Sequence, residues 1–282
     1  MMILEHELKI DPFLGKDFGK SEIEESVLSP LDLAVENTFR QYQDADQSGL
    51  FKDISGHVSR IGLEVLNPGQ INHLLQKILR DNPKEIIIRL LINKLLLQSY
   101  LNGFNDFLLN TQDMLLDGLV DVFKAEKTNP LQLTILGNVG NIFGMDSKYC
   151  IFNIAGNAGK HCGYKAKHCT FNIGGDANIL LGLKSEYSDY HVNGNVGNAC
   201  GDASKWSRFY IQGNAGYNQG TRSNKSVFTF HGEVLGLGKR STNSDYRTTL
   251  PKAYDLLLSE LPKNNTVALL DRSGNVIMEE RK

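Results

Sequence analysis

Six glycines stand 19 residues apart: Gly137, Gly156, Gly175, Gly194, Gly213 and Gly232. Nothing else in the chain constrains the fold as strongly, because a fixed period makes each unit meet its neighbours in the same way. Other columns keep the register. Gly144, Gly163, Gly182, Gly201 and Gly220 follow seven positions later, and Asn138, Asn157, Asp176, Asn195, Asn214 and Glu233 one position later.

The apolar columns give the local geometry. Ile135, Ile154, Ile173, Val192, Ile211 and Phe230 stand two before each glycine; Leu133, Phe152, Phe171, Tyr190, Phe209 and Phe228 stand four before. Between them lie Thr134, Asn153, Asn172, His191, Tyr210 and Thr229. Apolar, polar, apolar is the period of a strand with one buried face. Small apolar residues (Val139, Ala158, Ala177, Val196, Ala215, Val234) come two after. Each unit reads as a strand, a glycine corner that permits a tight turn, a short strand and a turn. A single unit cannot bury its apolar face, whereas six stacked units can. The expected fold is α+β: an N-terminal α-helical region, then a right-handed parallel β-helix of about six 19-residue rungs, then a small C-terminal helix and β-hairpin. At about 4.8 Å per rung the column is roughly 29 Å long. A doubly wound nucleotide fold is disfavoured, since no helical pattern separates these strands.

The rungs "FNIAGNAGKHCG" (Phe152–Gly163) and "YHVNGNVGNACG" (Tyr190–Gly201) resemble the GXGXG β-helix family. That family includes the C-terminal domain of the glutamate synthase large subunit and the formylmethanofuran dehydrogenase C subunit. The resemblance covers about residues 131–240. It implies a β-helix with a structural or inter-domain role, and it carries over no catalytic residue and no cofactor.

The expected organisation is residues 1–130 mainly helical, 131–245 β-helix, and 246–282 a helix and hairpin cap. Ser29-Pro30 opens a helix through about Gln43, and Asn67-Pro68 opens one to Leu79. Asn82-Pro83 opens a buried apolar helix to about Leu101, and Phe104–Lys127 reads as a further helical stretch. Leu250–Leu261 is an expected short helix, and Thr266–Glu280 a hairpin turning at residues 272–275. These flanks are the expected covers for the open ends of the column.

Charge divides along the chain. Residues 1–130 carry 13 Lys+Arg against 20 Asp+Glu, and residues 131–250 carry 12 against 7. Such a division can help two copies or a partner dock. It falls short of the dense basic face of a nucleic-acid binder, so nucleic acid is not indicated. The most apolar run, Glu85–Leu101, is interrupted by Arg89 and Lys94 and is too short for a membrane span. Glu5 and Glu7 do not suit a secretory leader, and four cysteines then read as reduced thiols of a cytoplasmic protein.

Several segments imitate chemical motifs. "GNAGKHCG" looks like a phosphate loop, yet its glycines recur on every rung and no Walker sequence is present. Cys150 and Cys169 share a column continued by Ser188, Ser207 and Ser226, which marks a slot for small side chains. They are the candidate metal ligands, but no CxxC accompanies them. Asp44, Asp46, Ser48 and Gly49 match the first half of an EF-hand, while Ser55 occupies the position that needs a bidentate Glu. No Ser-His-Asp order, paired carboxylates or HExxH motif is legible, and no cofactor is implied.

Two outward columns are candidate binding surfaces. Tyr149, His168, Tyr187 and Trp206, followed by Lys225, line one turn. They form either a stacking platform for a planar ligand or a ladder that stabilises the turns. Asn172, His191 and Tyr210 point outward from the strands. The expectation is a non-catalytic scaffold or macromolecule-binding protein, working as a homodimer or within a protein complex. The alternative is an accessory subunit of a redox or amidotransferase enzyme.

Overall fold

The structure, a computed structural model, describes residues 65–80, 85–112 and 114–282. The expected helix over 29–43 and the EF-hand-like segment at Asp44 lie outside the described residues.

Helix α1 (Pro68–Arg80) starts on a reciprocal capping box. Asn67 Oδ1 accepts the Gln70 N–H at 3.0 Å, and Gln70 Oε1 accepts the Asn67 N–H at 2.9 Å. Its apolar residues fall at helical spacing, and Ile71, Leu74, Leu75 and Ile78 form the buried face. Helix α2 (Glu85–Leu101) buries Ile88, Leu91, Ile92, Leu95 and Leu96 in the same core. No helix among the described residues is long and apolar enough to cross a membrane.

The rest is a β-solenoid. Its strands are β1 (Asp106–Asn110), β2 (Leu131–Leu136), β3 (Cys150–Ile154), β4 (Thr170–Ile173) and β5 (Asp189–Val192). They continue as β6 (Arg208–Ile211), β7 (Val227–Phe230), β8 (Asp245–Thr248) and β9 (Thr266–Leu270). Each pairs in parallel with the next, and β10 (Val276–Arg281) closes the 10-stranded sheet antiparallel to β9. Helix α3 (Pro251–Glu260) packs on β8 and β9, so the C-terminal helix and hairpin occur as expected.

The helix expected over 104–127 is corrected. Asp106–Asn110 is a strand, with Phe107 and Leu109 buried on alternate positions. Its backbone pairs in register with β2 from Asp106↔Gln132 to Asn110↔Leu136. Residues beyond it coil like a rung: Val122 N–H reaches Met145 O at 2.6 Å and Ala125 N–H reaches Lys148 O at 3.0 Å. Left-handed backbone at Gly103, Gly118, Val120 and Val122 breaks any helical run here. Tertiary pairing has overridden local helix propensity. Helix α1 then covers the free edge of β1, where Asn72 Oδ1 accepts the Asn110 N–H at 2.9 Å.

Inside the column, like lies on like. Phe152, Phe171, Tyr190, Phe209, Phe228 and Tyr246 are buried in one file, with centroids 4.8 to 5.1 Å apart. Strand spacing of about 4.8 Å brings aromatic onto aromatic, stacked from Phe171 to Tyr246 and tilted by 43° between Phe152 and Phe171. Each ring contributes about 1.5–3 kcal/mol by burial, and each aromatic pair about 0.5–1.5 kcal/mol more.

A second interior wall is polar. Ser188, Ser207, Ser226 and Ser244 are buried, and each accepts a backbone N–H from the rung before: Cys169 to Ser188 at 3.2 Å, Ser188 to Ser207 at 3.3 Å, Ser207 to Ser226 at 3.4 Å and Ser226 to Ser244 at 3.3 Å. Buried Asn265 ends the file, accepting the Ser244 N–H at 2.9 Å.

Most of the repeat glycines are required by closeness rather than by the turn geometry expected of them. Of the six, only Gly137 has a positive φ, 129°. A Cβ on Gly213 would lie 2.6 Å from the backbone C and O of Gly194 on the rung before. The left-handed glycines are in the other column: Gly182 has φ 64°, and a Cβ there would meet the Phe209 ring at 2.7 Å.

Candidate functional site

The outward positions of β2 to β6 stack in register as Thr134, Asn153, Asn172, His191 and Tyr210. Alternation places them there, because their neighbours on either side are the buried core columns. Asn172 Nδ2 donates to Asn153 Oδ1 at 2.8 Å, and Asn153 Nδ2 donates to Thr134 Oγ1 at 3.4 Å. The His191 and Tyr210 rings lie 4.9 Å apart and 2° from parallel. Beside this file runs a second, Ala155, Gly174, Asn193 and Gln212. Its two smallest members hollow the surface, and together the files line a cleft of about 280 Å³.

The cleft carries no Lys, Arg, Asp or Glu in its lining. Two residues back along the strands, Asp189 and Arg208 neutralise each other through paired contacts of 2.7 and 2.6 Å. Burial holds the His191 imidazole below its usual range, so near pH 7 it is neutral and both donates and accepts.

The expected candidates Asn172, His191 and Tyr210 therefore meet in one site. Asn153, Asn193, Gln212 and Gly174 join them without having been singled out. The signal for Asn153 was present, since it occupies the same column; the second file begins with Ala155 and Gly174, which carry no chemistry of their own.

Tyr149, His168, Tyr187 and Trp206 form a separate ladder and do not line the cleft. Successive centroids are 5.0, 5.0 and 4.9 Å apart, Lys148 Nζ lies 4.8 Å from the Tyr149 centroid, and Lys225 Nζ lies 5.4 Å from that of Trp206. The ring faces are thus occupied by one another, and their edges meet solvent. All four residues have left-handed backbone, φ between 49° and 54°. Such a conformation costs roughly 1–2 kcal/mol per residue. Ring stacking of about 0.5–1.5 kcal/mol per pair offsets much of it, as do rung hydrogen bonds such as His168 N–H to Glu186 O at 3.0 Å. Burial, then Lys148, Lys127 and Lys167, hold the His168 imidazole below its usual range.

The cysteines point inward. Cys150 and Cys169 are buried, each with its thiol on a carbonyl of its own turn, Lys148 O at 3.2 Å and Lys167 O at 3.3 Å. A hydrogen bond to Cys169 and burial push the Cys150 thiol up. Cys162 and Cys200 are fully buried in another column, and burial pushes both thiols up. Thiols pushed up by burial, as at Cys150, Cys162 and Cys200, are poor nucleophiles. Among the described residues, no group of three or more His, Cys, Asp or Glu side chains converges on a common point.

In comparisons with known proteins, no protein family, curated protein or solved structure matches this chain.

Proposed function

We propose that the protein is a non-catalytic binding module, in which the β-solenoid is a rigid scaffold and the outer face of β2 to β6 holds a macromolecular partner. The observation that carries this reading is the cleft itself, where registered amide, imidazole and phenol groups line one concave surface. The strands beneath it are hydrogen-bonded on both sides, so the site needs little ordering when a partner binds. The GXGXG resemblance is compatible, since in that family the helix implies a structural or inter-domain role.

The test is a binding panel of immobilised polysaccharides, proteins and nucleic acids. Wild-type protein is compared with Asn172→Ala/Tyr210→Ala, which strips the cleft, and with Trp206→Ala, which alters the other ladder. The reading expects at least one ligand whose retention is lost with the cleft variant and kept with Trp206→Ala. Retention of no ligand in a cleft-dependent way overturns it.

A further inference from the structure

We propose that the ligand of the cleft is an uncharged polysaccharide, held through a short segment that runs along the solenoid axis. This rests on the binding reading above and names its ligand class. Hydroxyls both donate and accept, and so do the groups that line the cleft. Asn153, Asn172 and Gln212 carry amides, Thr134 and Tyr210 hydroxyls, and His191 a neutral imidazole. No lining side chain is charged, so a phosphate or carboxylate entering the cleft would lose water and gain no counter-charge. The nearest ion pair, Asp189–Arg208, is already satisfied within itself.

Spacing separates a saccharide from a peptide. The groups repeat once per rung, and the His191–Tyr210 centroid distance of 4.9 Å measures that repeat. An extended peptide laid along the axis presents equivalent side chains every second residue, about 6.6 Å apart. It is out of step with the rungs almost at once. A pyranose chain repeats at about one ring length, close to one rung. Nor can a peptide add to the sheet here, because the floor is a sheet face whose backbone groups are spent between rungs. The volume of about 280 Å³ lies just below the roughly 300–1,000 Å³ of drug-sized ligand pockets, which suits a short run of sugar units.

The experiment is isothermal titration of the full chain with neutral gluco-, manno- and xylo-oligosaccharides. A carboxylated polysaccharide, a polynucleotide and an unstructured neutral peptide are titrated alongside. The expected result is binding of at least one neutral saccharide, weakened about 10-fold or more by Asn172→Ala and by Tyr210→Phe and unchanged by Trp206→Ala. Tyr210→Phe keeps the ring stack, so its effect reads the phenol and not the fold; thermal melts of each variant confirm this. If every neutral saccharide fails while the peptide or a polyanion binds in a cleft-dependent way, the saccharide inference is overturned and the binding reading stands. If no ligand class binds in a cleft-dependent way, both are overturned.

Discussion

The carboxamide oxygen of Asn157 accepts the backbone N–H of Asp176 on the next rung at 2.7 Å, and Asp176 Oδ1 accepts that of Asn195 at 2.7 Å. Asn138 stands in the same relation to Asn157, Asn195 to Asn214, and Asn214 to Glu233. The column is thus a side-chain rail that takes up one backbone donor per rung at the glycine corner. The glycine beside it leaves room for the rail: a Cβ on Gly175 would lie 3.1 Å from the Asn157 carboxamide carbon. Two neighbouring columns of the repeat are therefore one device.

That device predicts a specific order of stabilities. Asn157→Ala removes the acceptor for Asp176 and is expected to cost about 1 kcal/mol, the usual net worth of such a bond. Asn157→Asp keeps the acceptor, as Asp176 does naturally, and is expected to cost less. Urea unfolding midpoints of the two variants check this; equal losses would mean that the oxygen contributes nothing.

The buried serine file makes a sharper case. Ser207 Oγ accepts the Ser188 N–H at 3.3 Å, donates to Lys205 O at 3.1 Å and lies 3.3 Å from Ser185 Oγ. Ser207→Ala leaves a buried donor with no acceptor, and an orphan of that kind costs about 1–3 kcal/mol. Sulfur already occupies this file at Cys150 and Cys169, so Ser207→Cys is expected to lose less than Ser207→Ala. Denaturant titrations that rank the two the other way round would show packing, not hydrogen bonding, to govern the file.

The centre of the solenoid was legible because its rungs hold one period; the flanking helices and the C-terminal hairpin were legible too, but the pairing of the end strands with the ladder was not, because they leave that period. Phe152 pairs with Phe171, and the step is 19 residues. Phe107 instead pairs with Leu133, a step of 26 (133 minus 107), and Tyr246 with Val267, a step of 21 (267 minus 246). Strands β1 and β9 therefore extend the ladder without belonging to the repeat. Apolar Phe107, Leu108 and Leu109, followed by Leu115 and Leu116, imitate a helix face until the pairing with β2 is known. The cleft was half legible: the column of Asn172, His191 and Tyr210 could be read directly. Its concavity depends on Ala155 and Gly174, whose contribution is the absence of side-chain volume.

Gly182 and Gly274 separate two reasons for a glycine. Both have left-handed backbone, φ 64° and 85°. A Cβ on Gly274 meets nothing within 4 Å, whereas on Gly182 it lies 2.7 Å from the Phe209 ring and 2.9 Å from that of Tyr190. Gly274→Ala is expected to cost only the conformational term, about 1–2 kcal/mol. Gly182→Ala adds a clash inside the aromatic file and is expected to cost at least about 1 kcal/mol more. Differential scanning calorimetry of the two variants decides it, and indistinguishable melting temperatures would rule out a packing role for Gly182.

The histidines predict a dependence on pH. Burial lowers the imidazoles of His168, His191 and His231 in the folded chain, while in the unfolded chain each titrates near ~6.5. Well above that pH both states are neutral and stability is complete. As the pH falls below it, the unfolded chain binds protons that the folded chain refuses, so stability is lost progressively towards the lowered folded values. Around His168, Lys148, Lys127 and Lys167 add to the lowering and Glu186 opposes it; around His191, Asp189 opposes and Arg208 adds. Melting temperatures are expected to drop between about pH 7.5 and about pH 5.5. Carboxylates titrate lower still, so the histidine share is read from the difference between wild type and His168→Gln/His191→Gln. The variant's slope over that window should be shallower, and a slope as steep as wild type would show that other groups set the acid limit of the fold.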